Sequence, residues 1–206
     1  MPKLDVTYLD HNASSPLLEE LLAELPGLAQ YGRGNASSLH QYGRQSRRLV
    51  SEATAGIAHL LHCKDDQIYW TSGASEANTW ALSSAAQRAR TESSPRGPAR
   101  FLVSAVEHDS TWLTARGLGE THTLRVLPSG VVDLIQLKQL LESSRFDLLS
   151  VVHASNETGV IQPLGAIAHL CATTNTPLHV DCAQTLGKLP LNFSEIGASY
   201  ATFSAH

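Results

Sequence analysis

Five short polar clusters, each just after an apolar run, carry the chemistry available to this chain of 206 residues. They are Ser72-Gly73-Ala74-Ser75, Glu107-His108, Ser155-Asn156-Glu157-Thr158-Gly159, Asp181-Cys182-Ala183-Gln184 and Ser204-Ala205-His206. Taken singly, each has a plain explanation. The Ser-Gly-Ala-Ser turn is a helix N-cap, His108 a loop histidine, Asn156 a turn residue, and Asp181 a local cap for a backbone amide. Taken together, they sort by chemistry. An aspartate buried at a strand end keeps a pyridine nitrogen protonated, because an adjacent carboxylate favours the charged form. Neutral donors such as Asn156 and Gln184 hold a phenolate oxygen. The flat imidazole of His108 stacks on an aromatic ring and exchanges protons. Ser75, Ser204 and His206 gather a phosphate, with Gly73 allowing close backbone approach and helix N-terminal amides donating. That set of demands describes pyridoxal 5'-phosphate, whose carbanion chemistry needs a protonated ring nitrogen.

Strands and helices in alternation must position these clusters. Val6 to Leu9 is expected as a strand ending in the turn Asp10-His11-Asn12, and Pro16 opens a leucine-rich helix (Leu17, Leu18, Leu21, Leu22, Leu25) that Pro26-Gly27 ends. That leucine stripe is expected to pack in a core. The polar segment from Tyr31 to Ser38 precedes a helix from His40 to Leu61, with Leu49, Val50, Ala53, Ile57 and Leu60 on one face. Arg44, Arg47 and Arg48 form its solvated basic face. Gln67 to Trp70 is expected as a strand and Ser75 to Arg88 as a helix, followed by the loop Pro95-Arg96-Gly97-Pro98. Further strands are expected at Phe101 to Val106, Leu124 to Leu127, Leu148 to Val152, Leu178 to Val180 and Tyr200 to Phe203. Helical sequence resumes near Thr111 and again from Asp133 to Leu141, where the Asp133 charge complements the helix dipole. Short, nearly unbroken apolar runs suit strands covered on both faces, which gives an α/β chain with a mainly parallel sheet. In such sheets ligands sit outside the carboxyl ends of the strands, where the five clusters fall.

Composition excludes several function classes. Hydrophobic residues at 42% and charged ones at 17% belong to a folded globular chain, not a disordered one. A formal net charge of −4 supplies no basic field for a phosphate backbone, so no nucleic-acid partner is expected. Three separated cysteines argue against a disulfide framework and for a reducing compartment. No signal peptide is expected at the start, which enters strand-like sequence at once, and no apolar run approaches membrane-spanning length. A soluble, cytoplasmic chain without a membrane partner is expected. His59, His62 and Cys63 fall short of a metal-site spacing, and no metal is expected.

The order and spacing of the motifs add a resemblance. They are Tyr8-Leu9-Asp10-His11-Asn12-Ala13 with Pro16, Gly34-Asn35-Ala36-Ser37-Ser38 with His40 and Gly43, and Thr71-Ser72-Gly73-Ala74-Ser75-Glu76-Ala77-Asn78. Next come Glu107-His108, Asn156-Glu157-Thr158-Gly159-Val160 with Gln162-Pro163, His179-Val180-Asp181, Ala183-Gln184, Gly187-Lys188 and Ser204-Ala205-His206. With these the whole chain resembles the cysteine desulfurases of the class V aminotransferase group, the nitrogen-fixation-like branch in particular.

The resemblance implies a fold-type I pyridoxal-phosphate-dependent transferase, with residues 1–15 belonging to a small domain and 16–206 to a large cofactor-binding domain that is incomplete at its C-terminal side. It implies that Ala74, Ser75, Ser204 and His206 hold the cofactor phosphate; Ser75 stands where most relatives have threonine. It also implies that Asn156 and Gln184 bond the phenolic oxygen, that Asp181 pairs with the ring nitrogen, and that His108 stacks on the ring as the catalytic proton carrier. The implied reaction is conversion of L-cysteine to L-alanine, with sulfur leaving as an enzyme persulfide for an iron–sulfur scaffold or another acceptor. Relatives of this kind are homodimers. In that group a lysine bonded to the cofactor follows the histidine at position 206, and a loop cysteine and a carboxylate-binding arginine come later. The sequence is expected to stop one residue short of that lysine, and the chain alone to be inactive. Cys63, Cys171 and Cys182 are expected as structural thiols, and Lys188 as a scaffold residue. An aminotransferase, a selenocysteine lyase or a kynureninase-like hydrolase of the same group, and a non-catalytic fragment that binds a partner, are the alternatives.

Overall fold

The structure, a computed structural model, describes residues 7–31, 33–91 and 97–205, and the chain divides between Tyr69 and Trp70 into two compact units. Val6 and the Pro95-Arg96 half of the expected loop lie outside the described residues.

The first unit is helical. Residues 7–9 form no strand, and the turn follows at 11–13. Helix α1 (Glu19–Tyr31) begins later than Pro16 and runs through Pro26, which corrects the expected stop there. A proline eight residues into a helix removes one backbone donor but does not always end the helix. The leucine stripe is not core: Leu17, Leu18, Leu21, Leu22 and Leu25 are each at least 46% exposed. Helix α2 (Gln41–Leu61) starts one residue after the expected His40, which instead caps it, its Nδ1 accepting the Gly43 amide at 3.3 Å. Its buried residues are Gly43, Ser46, Ala58 and Leu61, not the expected stripe, of which Val50 and Leu60 are about half exposed. The preceding loop lies against this helix. A Cβ on Gly34 would strike the backbone of Tyr42 and one on Gly43 the Ser38 carbonyl, so both positions require glycine. The Arg47 Nε donates to the Ala36 carbonyl at 2.8 Å and Arg44 reaches the Leu39 carbonyl, so two of the three basic side chains clamp that loop while still exposed. Gln67 to Trp70 forms no strand. A 3-10 turn spans Asp65–Gln67, and Ile68 is extended outside any sheet.

The second unit carries the sheet. Strands β1 (Ala99–Ser104), β2 (Gly119–Leu124), β3 (Leu148–Val152), β4 (Leu178–Asp181) and β5 (Tyr200–Thr202) lie in the order β2-β1-β3-β4-β5, and every pairing is parallel. The β1 and β2 boundaries fall earlier than the apolar runs suggest. Helices α3 (Ala74–Thr91), α4 (Asp109–Leu118), α5 (Leu134–Ser143), α6 (Leu164–Thr174) and the short α7 (Phe193–Ile196) complete the α/β architecture.

Side chains alternate across each strand, so the two faces of the sheet carry separate cores. Leu102, Leu149, Val151, Leu178 and Val180 pack with Leu137 of α5, Ile167 of α6 and Ile196 of α7. On the other face Phe101, Val103 and Leu148 pack with Leu82 and Ala85 of α3 and Ala115 of α4. That second face turns polar toward the carboxyl ends of its strands. Ser150, His179, Asp181 and Thr202 share it, and none is more than 3% exposed. Parallel strands put all their carboxyl ends on one edge, and that edge is where the chemistry collects.

Candidate active site

Helix α3 opens the site. The Glu76 carboxylate accepts the Ser72 amide at 2.6 Å, which holds its pKa below the usual carboxylate range and fixes the turn. Ala74 and Ser75 are the first two residues of α3. A Cβ on Gly73 would meet nothing within 4 Å, so the space above these first amides is open. An anion at that end meets unpaired N–H groups and the positive end of the helix dipole.

The strand ends supply the rest. After β1, Glu107 turns its carboxylate inward and His108 caps α4, its Nδ1 accepting the Ser110 amide at 3.1 Å. After β3, Ser155 ties the turn, its Oγ accepting the Glu157 and Thr158 amides at 3.3 and 3.2 Å, and Gly159 closes it at φ +71°. Asn156 sits exposed on that turn. Asp181 ends β4 and is 3% exposed; its Oδ1 accepts the Ala183 amide at 2.9 Å and its Oδ2 accepts the Asn78 side-chain amide at 2.8 Å. Gln184, partly buried, lies on the turn beyond, its Oε1 taking a 2.5 Å bond from Lys188 Nζ. Ser204 follows β5, and His206 lies outside the described residues. Ala74 and Ser75 therefore open α3, Asp181 ends β4, and His108, Asn156, Gln184 and Ser204 follow the ends of neighbouring parallel strands. Direct bonds bring α3, α4 and β4 together at Asn78, Ser110 and Asp181.

Sequence reasoning gave no role to Asn78, Ser110, Ser150, His179 or Thr202. Asn78 is 1% exposed, and its Nδ2 bonds both Asp181 and, at 3.1 Å, the Ser110 hydroxyl. Beneath the site a buried chain crosses four strands, β1, β3, β4 and β5. Ser104 donates to Glu107 Oε1 at 2.5 Å, Ser150 lies 3.4 Å from Oε2 and 2.8 Å from His179 Nδ1, and His179 Nε2 is 3.0 Å from the Thr202 hydroxyl. Burial pushes the Glu107 carboxyl up to about 8, aided by the charge of Asp181 and opposed by its hydrogen bonds. Burial lowers His179 to about 4, with Asp181 pulling the other way. The signal was present: polar residues inside otherwise apolar strands need partners.

The chemistry of these donors fits a phosphorylated pyridine. Among the described residues no lysine or arginine pairs with Asp181; an amide and a backbone N–H hold it, so its negative charge is available to a protonated ring nitrogen. Asn78 Oδ1, buried nearby, has no hydrogen-bond partner among the described residues. The thiols do not take part. Cys171 and Cys182 are 3% and 0% exposed and burial pushes both up to about 12, while Cys63 is raised as well, so none is a ready thiolate. A cavity of about 620 Å³ lies between α5 and α6 against Leu134, Ile135, Lys138 and His169 and includes no site residue. No described helix is long and apolar enough to cross a membrane.

Comparison with known proteins gives a consistent result. Residues 7–206 match the aminotransferase class-V family. A cysteine desulfurase of Dictyoglomus turgidum is 32% identical over 204 residues, covering 97% of this chain and 50% of that protein. A selenocysteine lyase of Xenopus laevis is 32% identical over 221 residues, covering 97% of this chain and 52% of that protein. A solved NifS-like protein superimposes with a TM-score of 0.87 at 28% identity, covering 96% of this chain and 54% of that one. The chain thus spans about half the length of the curated relatives it matches.

Proposed function

The chain belongs to the class-V aminotransferase family, and we propose that it forms the pyridoxal-phosphate-binding half of a cysteine desulfurase. Such an enzyme converts L-cysteine to L-alanine and passes the sulfur, as a persulfide, to an iron–sulfur scaffold or another acceptor. The observation that carries this reading is Asp181: a buried carboxylate at a strand end, held by neutral donors alone among the described residues, where the sheet, α3 and α4 converge.

Each residue has a task suited to its position. Asp181 holds the proton on the ring nitrogen. The first amides of α3, with the Ser75 hydroxyl and Ser204, hold the phosphate, and His206 belongs to the same set by its place in the sequence. Asn156 and Gln184 donate to the phenolic oxygen from exposed or half-exposed turns. His108 stacks on the ring from the head of α4 and moves protons at its imidazole. When bound, the cofactor supplies the electron sink for proton loss from the substrate's α-carbon. Residues 1–15 belong with a small domain and the rest with the large one, and a cytoplasmic homodimer completes the reading.

Two measurements test it. Titration of the chain with pyridoxal 5'-phosphate, followed by absorbance, gives saturable binding that Asp181→Ala abolishes; no binding refutes the cofactor site. For the whole protein, L-cysteine with a reductant yields equal amounts of alanine and sulfide. The selenocysteine lyase reading has support from a relative of equal identity, and it wins if only selenocysteine is turned over.

A further inference from the structure

Asp181 and His108 stand on different elements, yet one unbroken set of hydrogen bonds joins them. Asp181 Oδ2 takes the Asn78 Nδ2 hydrogen at 2.8 Å; Asn78 Nδ2 also faces the Ser110 Oγ at 3.1 Å; and Ser110 Oγ lies 2.8 Å from His108 Nδ1. The direction of each hydrogen follows from the first. An ionised carboxylate only accepts, so Asn78 must turn its NH₂ toward Asp181. The same NH₂ then donates to Ser110 Oγ, which leaves the Ser110 hydrogen free to point at His108 Nδ1. The Ser110 backbone N–H already donates to that nitrogen at 3.1 Å. With two donors aimed at Nδ1, the ring's own proton belongs on Nε2. Asn78 gives up something to hold this orientation: its buried Oδ1 has no partner among the described residues. An unsatisfied buried oxygen is costly, so the opposing interactions at Nδ2 must outweigh it.

We propose that Asn78 and Ser110 are positioning residues that carry the polarity of the Asp181 carboxylate to His108 and fix the imidazole as its Nε2–H tautomer. His108 then enters the chemistry as a proton donor at Nε2. Taking up a proton at Nδ1 instead requires the Ser110 hydroxyl and amide to turn away. This deepens the cofactor-site reading and rests on it for the use made of His108; the hydrogen-bonded relay itself stands on the protein's own atoms.

The test is ¹⁵N NMR of the full chain labelled at histidine, recorded at about pH 8, above the ordinary histidine range, with His108 assigned from His108→Gln. The wild-type chain shows a protonated Nε2 and a bare Nδ1. Asn78→Ala and Ser110→Ala move both signals toward a tautomer mixture, and Ser110→Thr, which keeps the hydroxyl, restores the wild-type pair. Unchanged His108 signals in Ser110→Ala, or a wild-type proton on Nδ1, overturn the proposal. Ser110 is only partly buried, so its variant decides alone if Asn78→Ala fails to fold. In parallel, pyridoxal 5'-phosphate binds Ser110→Ala about tenfold more weakly than wild type, the effect of one lost hydrogen bond, and Ser110→Thr recovers the affinity. Equal affinity in wild type and Ser110→Ala also overturns the proposal. A wild-type chain that binds none of the cofactor but shows the tautomer shift upholds the relay and refutes the cofactor reading.

Discussion

Glu107→Gln gives the sharpest test of how the buried polar layer is built. The Glu107 carboxylate faces Ser104, Ser150 and the Val152 amide, with Asp181 adding negative charge nearby, and burial pushes its pKa from 4.5 to about 8. Below the unfolded value both states are protonated and the group contributes nothing. As pH rises past 4.5, the unfolded chain releases its proton while the folded chain keeps it, so stability falls until about 8 and is level beyond. Two buried histidines act in the opposite sense on the acid side. His179 is lowered from 6.5 to about 4, and His153 is also lowered by burial, so both cost stability as pH falls below 6.5. The window from 6.5 to 8 therefore shows Glu107 without them. One and a half pH units at about 1.4 kcal/mol each bound the loss at about 2 kcal/mol, and contact between the partly exposed residue and solvent trims it to roughly 1–2 kcal/mol. Glutamine matches the protonated acid, accepting from Ser104 and Val152 and donating to Ser150. Urea unfolding of the cofactor-free chain between pH 6.5 and 8 should show the wild type weakening while Glu107→Gln stays level. Parallel curves for the two proteins would refute the reasoning.

Other perturbations probe separate parts of the molecule. Gln162 is 2% exposed and spans two segments, accepting the Val132 amide and donating to the Gly130 carbonyl, both at 2.9 Å; Gln162→Ala should cost about 1–3 kcal/mol in urea unfolding by stranding those groups. Ile167→Ala opens a cavity in the α5/α6 core, where the residue is 0% exposed, and should cost about 2–5 kcal/mol by the same assay. Lys188→Met releases Gln184 from an exposed bond of 2.5 Å; pairs of this spacing are worth about 0.3–0.5 kcal/mol, so pyridoxal 5'-phosphate affinity should change about twofold at most. Asp181→Asn keeps the shape but removes the charge, and a cofactor titration should show at least about a tenfold loss, since a charged partner is worth about 1.5–3 kcal/mol.

What the sequence disclosed depended on burial. Strands β3 and β4 are covered on both faces and read as unbroken apolar runs, so their positions were legible. Strand β2 is an edge strand of mixed burial carrying Glu120 and His122, and its polar residues hid it behind the more apolar run that follows. Gln67 to Trp70 has strand composition but joins no sheet, because a strand needs a neighbour as well as suitable residues. The exposed leucines of α1 show the same limit: periodicity marks a face, while burial requires another element to cover it. At the site, strand-end clusters announced themselves through their residue types. Asn78 did not, since one asparagine in an alanine-rich helix is indistinguishable from a solvated one until the fold sets Asp181 against it.

The two ends of the proposed ring site are held in different ways. Asp181 is the last residue of a strand, paired in register with Thr202 and Val152 and held by two further side-chain bonds. Moving it means breaking a ladder and a buried amide contact together, so it is preorganised for a ring nitrogen. Asn156 and Gln184 stand on turns, one exposed and the other already bonded to a lysine. Their donors must be redirected when a phenolic oxygen arrives, at a cost set by exposed hydrogen bonds that are individually weak. The fold thus fixes the carboxylate proposed to pair with the ring nitrogen and leaves adjustable the donors proposed to orient the ring. His108 lies between these regimes: its ring is exposed, but its Nδ1 is tied through Ser110 and Asn78 to the buried Asp181 carboxylate.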